Sequence, residues 1–313
     1  MRHRWPIALV LISVLGLVLY TRKLTTNPRG FFIDESSIAY NAATIAQTGR
    51  DEFGIAWPLY FRAFGEYKNP VYIYLVAGIY RVTGPTILGA RLLSAFAGLA
   101  TAALLGLLAF RLTRRRTVAL FIFASALLTP WLFELSRVVV EVSLYPLALT
   151  LFLFSVHRAS GKLKWTWREL IPIALTLALL TYTYSIGRLL APLLAIGLVL
   201  FIRRAGWKGL VAAWASYAAM LVSLLIFNIR NPGAFTARFS LITYFKSESS
   251  FGQWLVDFLR HYVSNVNPWR LLVIGDPNEF QMAHIHGTEF MLAATCALAV
   301  MGDRKSTRLN SSH

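Results

Sequence analysis

Asp34 and Glu35 stand side by side in "FFIDESSIAYNAATIAQTGRDEFG", residues 31–54, a polar stretch in an otherwise apolar chain. A helix N-terminus favours an ionised carboxylate, and an ionised carboxylate can take a proton from an attacking hydroxyl. A second charged pair, Glu66 and Lys68, follows in "AFGEYKNPVYIYL". "TPWLFELSRVVVEVSLYPL" carries Glu134, Arg137 and Glu141, and "TYTYSIGRLLAP" carries Arg188 beside Tyr182 and Tyr184. Arginine offers paired donors whose geometry matches phosphate oxygens. "NVNPWRLLVIGDPNEFQMAHIHGTEFML" adds Asp276, His284 and His286. In an extended segment the two histidines share a face, so with Glu66 they form a candidate set for a divalent metal ion. No Walker A motif, zinc-type His/Cys spacing or nucleophile elbow competes with this constellation.

Each of these residues also has a plainer reading. Ile38, Ala42, Ile45 and Ala46 recur at helical spacing and Gly49 follows them, so Asp34 can serve simply as the N-cap of that helix. Glu35 in the first turn suits the helix dipole. Arg137 and Glu141 are i, i+4 and can form a surface ion pair. Arg91, at the start of an apolar run, can snorkel to the headgroups, and Arg188 can be an interface anchor. His284 and His286 can be two polar loop residues.

The elements that must hold these residues are apolar helices. Hydrophobic residues make up 57% of the 313 and charged residues only 14%, which excludes an ordinary soluble domain. Apolar runs at 6–20, 85–110, 117–133, 142–156, 170–185, 189–202, 209–227 and 288–301 predict about eight spans. The first lacks a small-x-small cleavage site and reads as an uncleaved anchor. Lys and Arg number 31 against 14 acids, but they gather in short loops. That pattern indicates a bilayer and the positive-inside rule, with no nucleic acid partner.

Basic and charge-poor loops alternate if the N-terminus is cytoplasmic and the segment "VYIYLVAGIYRVT", 71–83, does not cross. It is therefore expected to be an interfacial or re-entrant helix. Two large loops, 21–84 and 228–287, then fall on the extracytoplasmic side of a multi-pass membrane protein and hold its polar chemistry. Residues 250–263 read as a further helix lying on the membrane. Cys296 is the single cysteine, so a disulfide within the chain and a thiolate metal cluster are excluded. The final "GDRKSTRLNSSH" breaks off in mid-architecture. Residues 303–313 are expected to be a non-native tail on a module spanning 1–302.

The ordered series resembles glycosyltransferase family 39. It consists of a single span, "DE" opening a surface helix, "RDEFGIAWPLYFRAFGEYKNPVYIYL", then "ARLLSAFAGL" starting the next span. The likeness covers about residues 5–300 and is strongest at 30–145. It implies an all-α, polytopic GT-C-type fold in the bacterial cytoplasmic membrane, with interfacial amphipathic helices in two external loops. It further implies an inverting enzyme that moves a sugar from a polyprenyl-phosphate donor to an extracytoplasmic acceptor. On that likeness Asp34 is the general base, with Glu35 its neighbour. Arg137 and Arg188 bind the donor phosphate, and Glu66, Lys68, Glu141 and Asp276 line the cavity. Glu66, His284 and His286 are the residues for a metal ion, although "EYKNP" carries one residue more than the family's "E-K-P". The alternatives are a degenerate, non-catalytic membrane protein or a transporter or flippase of lipid-linked sugars. A transporter should carry ionisable groups at mid-span, and here they lie at one rim.

Overall fold

The computed structural model describes residues 4–203, 206–237, 243, 250–267 and 269. The chain divides into two units, Met1–Leu241 and Ile242–His313. In the first unit the helices are α1 (Arg4–Thr21), α2 (Ile33–Thr48), α3 (Pro70–Thr83), α4 (Ile87–Thr113), α5 (Arg116–Leu127) and α6 (Pro130–Leu135). They continue as α7 (Tyr145–Ser160), α8 (Trp167–Thr183), α9 (Gly187–Gly197), α10 (Trp207–Met220) and α11 (Val222–Arg230). Strands β1 (Phe61–Ala63) and β2 (Glu66–Lys68) form a hairpin between α2 and α3.

Each apolar run up to residue 227 falls on helix, and 288–301 lies outside the described residues. Among the described residues, three helical stretches are long and apolar enough to cross a membrane: Ile87–Thr113, Glu141–Ser160 and Trp207–Arg230. Trp5–Thr21, Arg116–Leu127 and Gly187–Phe201 are apolar but shorter. The run expected at 117–133 is broken because Pro130 lacks an N–H and forces Thr129 into extended backbone. Segment 71–83 lies within α3, a helix of 14 residues (Pro70–Thr83). At 1.5 Å per residue that is about 21 Å, too short for a 30 Å hydrocarbon core. One side of α3 (Tyr72, Ile73, Val76 and Tyr80) is buried with Ile38, Ala42 and Ile45 of α2 and with Phe61 of β1.

A buried ion pair ties this region to the spans. Arg91, in the first turns of α4, is wholly buried. Its Nε donates to Glu35 Oε1 at 2.9 Å and its Nη2 to Oε2 at 2.8 Å. The same guanidinium donates to the carbonyls of Leu24, Pro28 and Gly30. Glu35 completes its shell by accepting from the N–H groups of Phe32 (3.0 Å) and Val139 (2.9 Å). Arg91 therefore does not snorkel. It pins the 24–30 loop and α2 to α4.

In the second unit, α12 (Phe251–Val266) begins with a capping box: Ser250 Oγ accepts from Gln253 N–H, and Gln253 Oε1 accepts from Ser250 N–H. It covers the predicted amphipathic stretch, with Phe258 stacked on Tyr262. Residues 303–313 lie outside the described residues.

Candidate functional site

The N-terminus of α2 separates its two acids by a rotation of one residue. Helix α2 starts at Ile33 with Phe32 as N-cap, and the side chain that reaches back to the cap N–H is Glu35. The capping duty expected of Asp34 thus belongs to Glu35. Asp34 turns outward instead: its side chain is 46% exposed and forms an ion pair with Lys68. The other end of α2 is as expected, with Gly49 in the left-handed region at φ 71°.

Lys68 reaches Asp34 because of the hairpin. Phe64 (φ 51°) and Gly65 (φ 78°) are both left-handed, the signature of a two-residue type I′ turn. The turn pairs Phe61 with Lys68 and Ala63 with Glu66. Alternation along β2 places Glu66 and Lys68 on one face, and the ammonium sits 3.7 Å from Glu66 Oε1. Asp34 and Glu66 therefore share one cation. Residues 34 positions apart in sequence meet at a single point.

At the residue after β2 a second polar cluster begins. Glu141 is buried and accepts from both the backbone N–H and the side-chain amide of Asn69. Asn69 Oδ1 in turn accepts from Arg188 Nη2 at 3.3 Å. Arg188 sits in the first turn of α9 because the chain reverses tightly after α8. A Cβ at Gly187 would collide with the Leu180 carbonyl. The guanidinium lies 5.2 Å from the Tyr60 ring centre and 4.4 Å from that of Phe235. Arg188 Nε and Tyr60 Oη are buried and have no hydrogen-bond partner. Burial pushes the Tyr60 phenol well above its ordinary pKa, against an opposing pull from Arg188, so it remains a neutral donor. Two buried donors, one of them cationic, thus retain hydrogen-bonding capacity beside each other's side chains.

The structure brings together Asp34, Glu66, Lys68, Glu141 and Arg188, and it adds Asn69 and Tyr60. Sequence reading missed both. Asn69 looks like a mere pre-proline spacer, and Tyr60 is one aromatic residue among many.

Two candidates leave the set. Glu35 is 2% exposed, and its two oxygens accept four hydrogen bonds, so it has no free lone pair for chemistry. Arg137 spends its four terminal N–H groups on the carbonyls of Leu19, Tyr20, Arg22 and Asn27. It fastens the end of α1 instead of facing a phosphate, and it makes no ion pair with Glu141. Asp276, His284 and His286 lie outside the described residues. No group of three His, Cys, Asp or Glu side chains gathers for a metal ion among the described residues. Lys68 already occupies the space between Asp34 and Glu66, so a metal on Glu66 would need ligands from beyond them.

No family model matches the sequence, and no curated protein matches it. Among solved structures, the chain is similar to ArnT from Cupriavidus metallidurans in the apo state, with a TM-score of 0.51 at 16% identity. The match covers 83% of this chain and 48% of ArnT, so the chain spans about half the length of that protein. The likeness is one of fold: an all-α, polytopic membrane architecture shared with that structure.

Proposed function

We propose that the protein is a membrane glycosyltransferase that moves a sugar from a polyprenyl-phosphate donor to an acceptor hydroxyl outside the cytoplasm of a bacterial cell. The observation that carries this reading is the rim itself. An exposed carboxylate, Asp34, and an arginine with no acidic partner among the described residues, Arg188, belong to two polar clusters, Asp34–Lys68–Glu66 and Arg188–Asn69–Glu141, that the consecutive residues Lys68 and Asn69 bring side by side. The GT-C-like fold supports it, because a donor whose tail stays in the bilayer must present its sugar at the membrane surface.

The acceptor oxygen attacks the anomeric carbon as the bond from that carbon to the phosphate oxygen breaks. Asp34 takes the hydroxyl proton, and the polyprenyl phosphate departs with the bonding electrons. Attack opposite the leaving group inverts the anomeric centre. Arg188, helped by the Tyr60 hydroxyl, stabilises the charge growing on the phosphate. Lys68 fixes the Asp34 carboxylate, and Glu141 fixes Asn69 and through it Arg188. A divalent ion held by Glu66 with His284 and His286 would supply further charge stabilisation at the phosphate.

The test is sugar release from a radiolabelled polyprenyl-phosphate sugar by membranes containing the protein. Wild type should turn over, and Asp34→Asn should lose about 10²–10⁴-fold. Equal turnover by the two would remove Asp34 as the base.

A further inference from the structure

A second site lies at the far ends of the same helices. Helix α1 packs closely on its neighbours near its C-terminus: Tyr20 donates to the Leu127 carbonyl at 3.1 Å, and a Cβ on Gly16 would meet Leu127 at 2.8 Å. Towards its N-terminus α1 parts from α4 and α5. Trp5, Leu9 and Ser13 of α1 then face Ala103, Gly106, Leu107 and Phe110 of α4 across a crevice of about 540 Å³. Arg116, Ala119, Leu120 and Phe123 of α5 close its third side. Apart from Ser13 and Arg116 the walls are apolar.

Helix α4 separates the crevice from the Arg91 knot. Helix α4 has 27 residues and spans about 40 Å, with Arg91 and the Glu35 knot at its start and the crevice at its end. At the crevice mouth the chain runs Arg111, Leu112, Thr113, Arg114, Arg115, Arg116, all exposed. None of these four arginines forms an ion pair among the described residues; Arg116 lies 4.6 Å from the Trp5 ring centre and Arg111 4.4 Å from that of Phe154. A dry wedge inside a bilayer must be filled, since an apolar lining without partner atoms forfeits its dispersion contacts. A cluster of unpaired arginines at its mouth selects a negative headgroup.

We propose that the crevice between α1, α4 and α5 holds one acyl chain of an anionic phospholipid, whose phosphate is bound by Arg114, Arg115 and Arg116. The chain fills the wedge, and Trp5 sits at headgroup level beside Arg116. This site is separate from the Asp34 rim and does not depend on the protein's being a transferase.

The experiment is native mass spectrometry of the full protein released from membranes containing phosphatidylglycerol and phosphatidylcholine. It is paired with a photoreactive acyl-chain phosphatidylglycerol whose cross-links are mapped on wild type. Wild type should retain one phosphatidylglycerol, with cross-links on residues 5–13 or 103–123. Ala103→Phe, an exposed alanine enlarged into the crevice, should abolish retention. Replacing Arg114, Arg115 and Arg116 with glutamine should cut it at least about tenfold. Equal retention of both lipids, cross-links confined to other segments, or full retention by Ala103→Phe would each overturn the proposal. So would a crevice occupied by a later segment of the chain. The mapping on wild type decides the matter even if a variant fails to fold.

Discussion

Neighbours in sequence, Asp34 and Glu35 live in opposite physical worlds. Glu35 is buried, bidentate on Arg91, and accepts from two backbone N–H groups besides. Asp34 is half exposed and meets one ammonium, that of Lys68. The same contrast separates Arg137, which spends four N–H groups on carbonyls and leaves only Nε without a partner, from Arg188, which donates to Asn69 Oδ1 alone among the described residues. One acid and one arginine hold the fold. The other acid and arginine remain available for a ligand. A charged residue near a membrane surface is therefore assigned by how much of its hydrogen-bonding capacity the fold has used, not by its type or position.

The contrast breaks most visibly at the buried pair. Glu35→Ala leaves Arg91 buried without its counter-charge, and we expect a loss of about 3–5 kcal/mol, read as a fall in melting temperature or a failure to accumulate. Asp34→Asn should lower the melting temperature far less, since Asp34 is half exposed and Glu66 stays beside the buried Lys68 ammonium, while removing sugar transfer. A melting temperature that falls as far for Asp34→Asn as for Glu35→Ala would erase the distinction. The two arginines sharpen it further. Arg137→Gln should destabilise the α1 end by about 1–3 kcal/mol, because buried carbonyls lose their donors. Arg188→Gln should leave stability nearly intact and weaken binding of the donor phosphate by about tenfold or more, measured as donor KM. The smallest effect belongs to the hairpin. Phe64→Asn creates an Asn-Gly type I′ turn and relieves a bulky residue at φ 51°, so stability should rise by about 0.5–1 kcal/mol with activity retained.

Sequence periodicity made much of this architecture legible. The stripe at Ile38, Ala42 and Ile45 with Gly49 marks α2, and the apolar runs mark α4, α7 and α10. What it could not display were long-range partners. Arg91 meets Glu35 across 56 positions, and nothing in either segment announces the other. Arg137 is held by backbone carbonyls, which leave no trace in side-chain identity. The hairpin escaped notice because its strands are three residues long and its turn uses Phe64, a residue without turn preference. The convergence of Asp34, Glu66 and Lys68 was visible only as a clustering of charge in one loop. The lysine that joins them needed the fold.

The account stands on the Asp34 rim facing away from the cytoplasm, where a lipid-linked sugar would wait. Tyr40 is 58% exposed on α2, and Cys296 is the single native cysteine. Placing one cysteine at position 40 in a Cys296→Ser background and treating intact cells with a membrane-impermeant maleimide reads that orientation directly. Labelling of intact cells is the predicted result, and labelling only after the membrane is opened would contradict it.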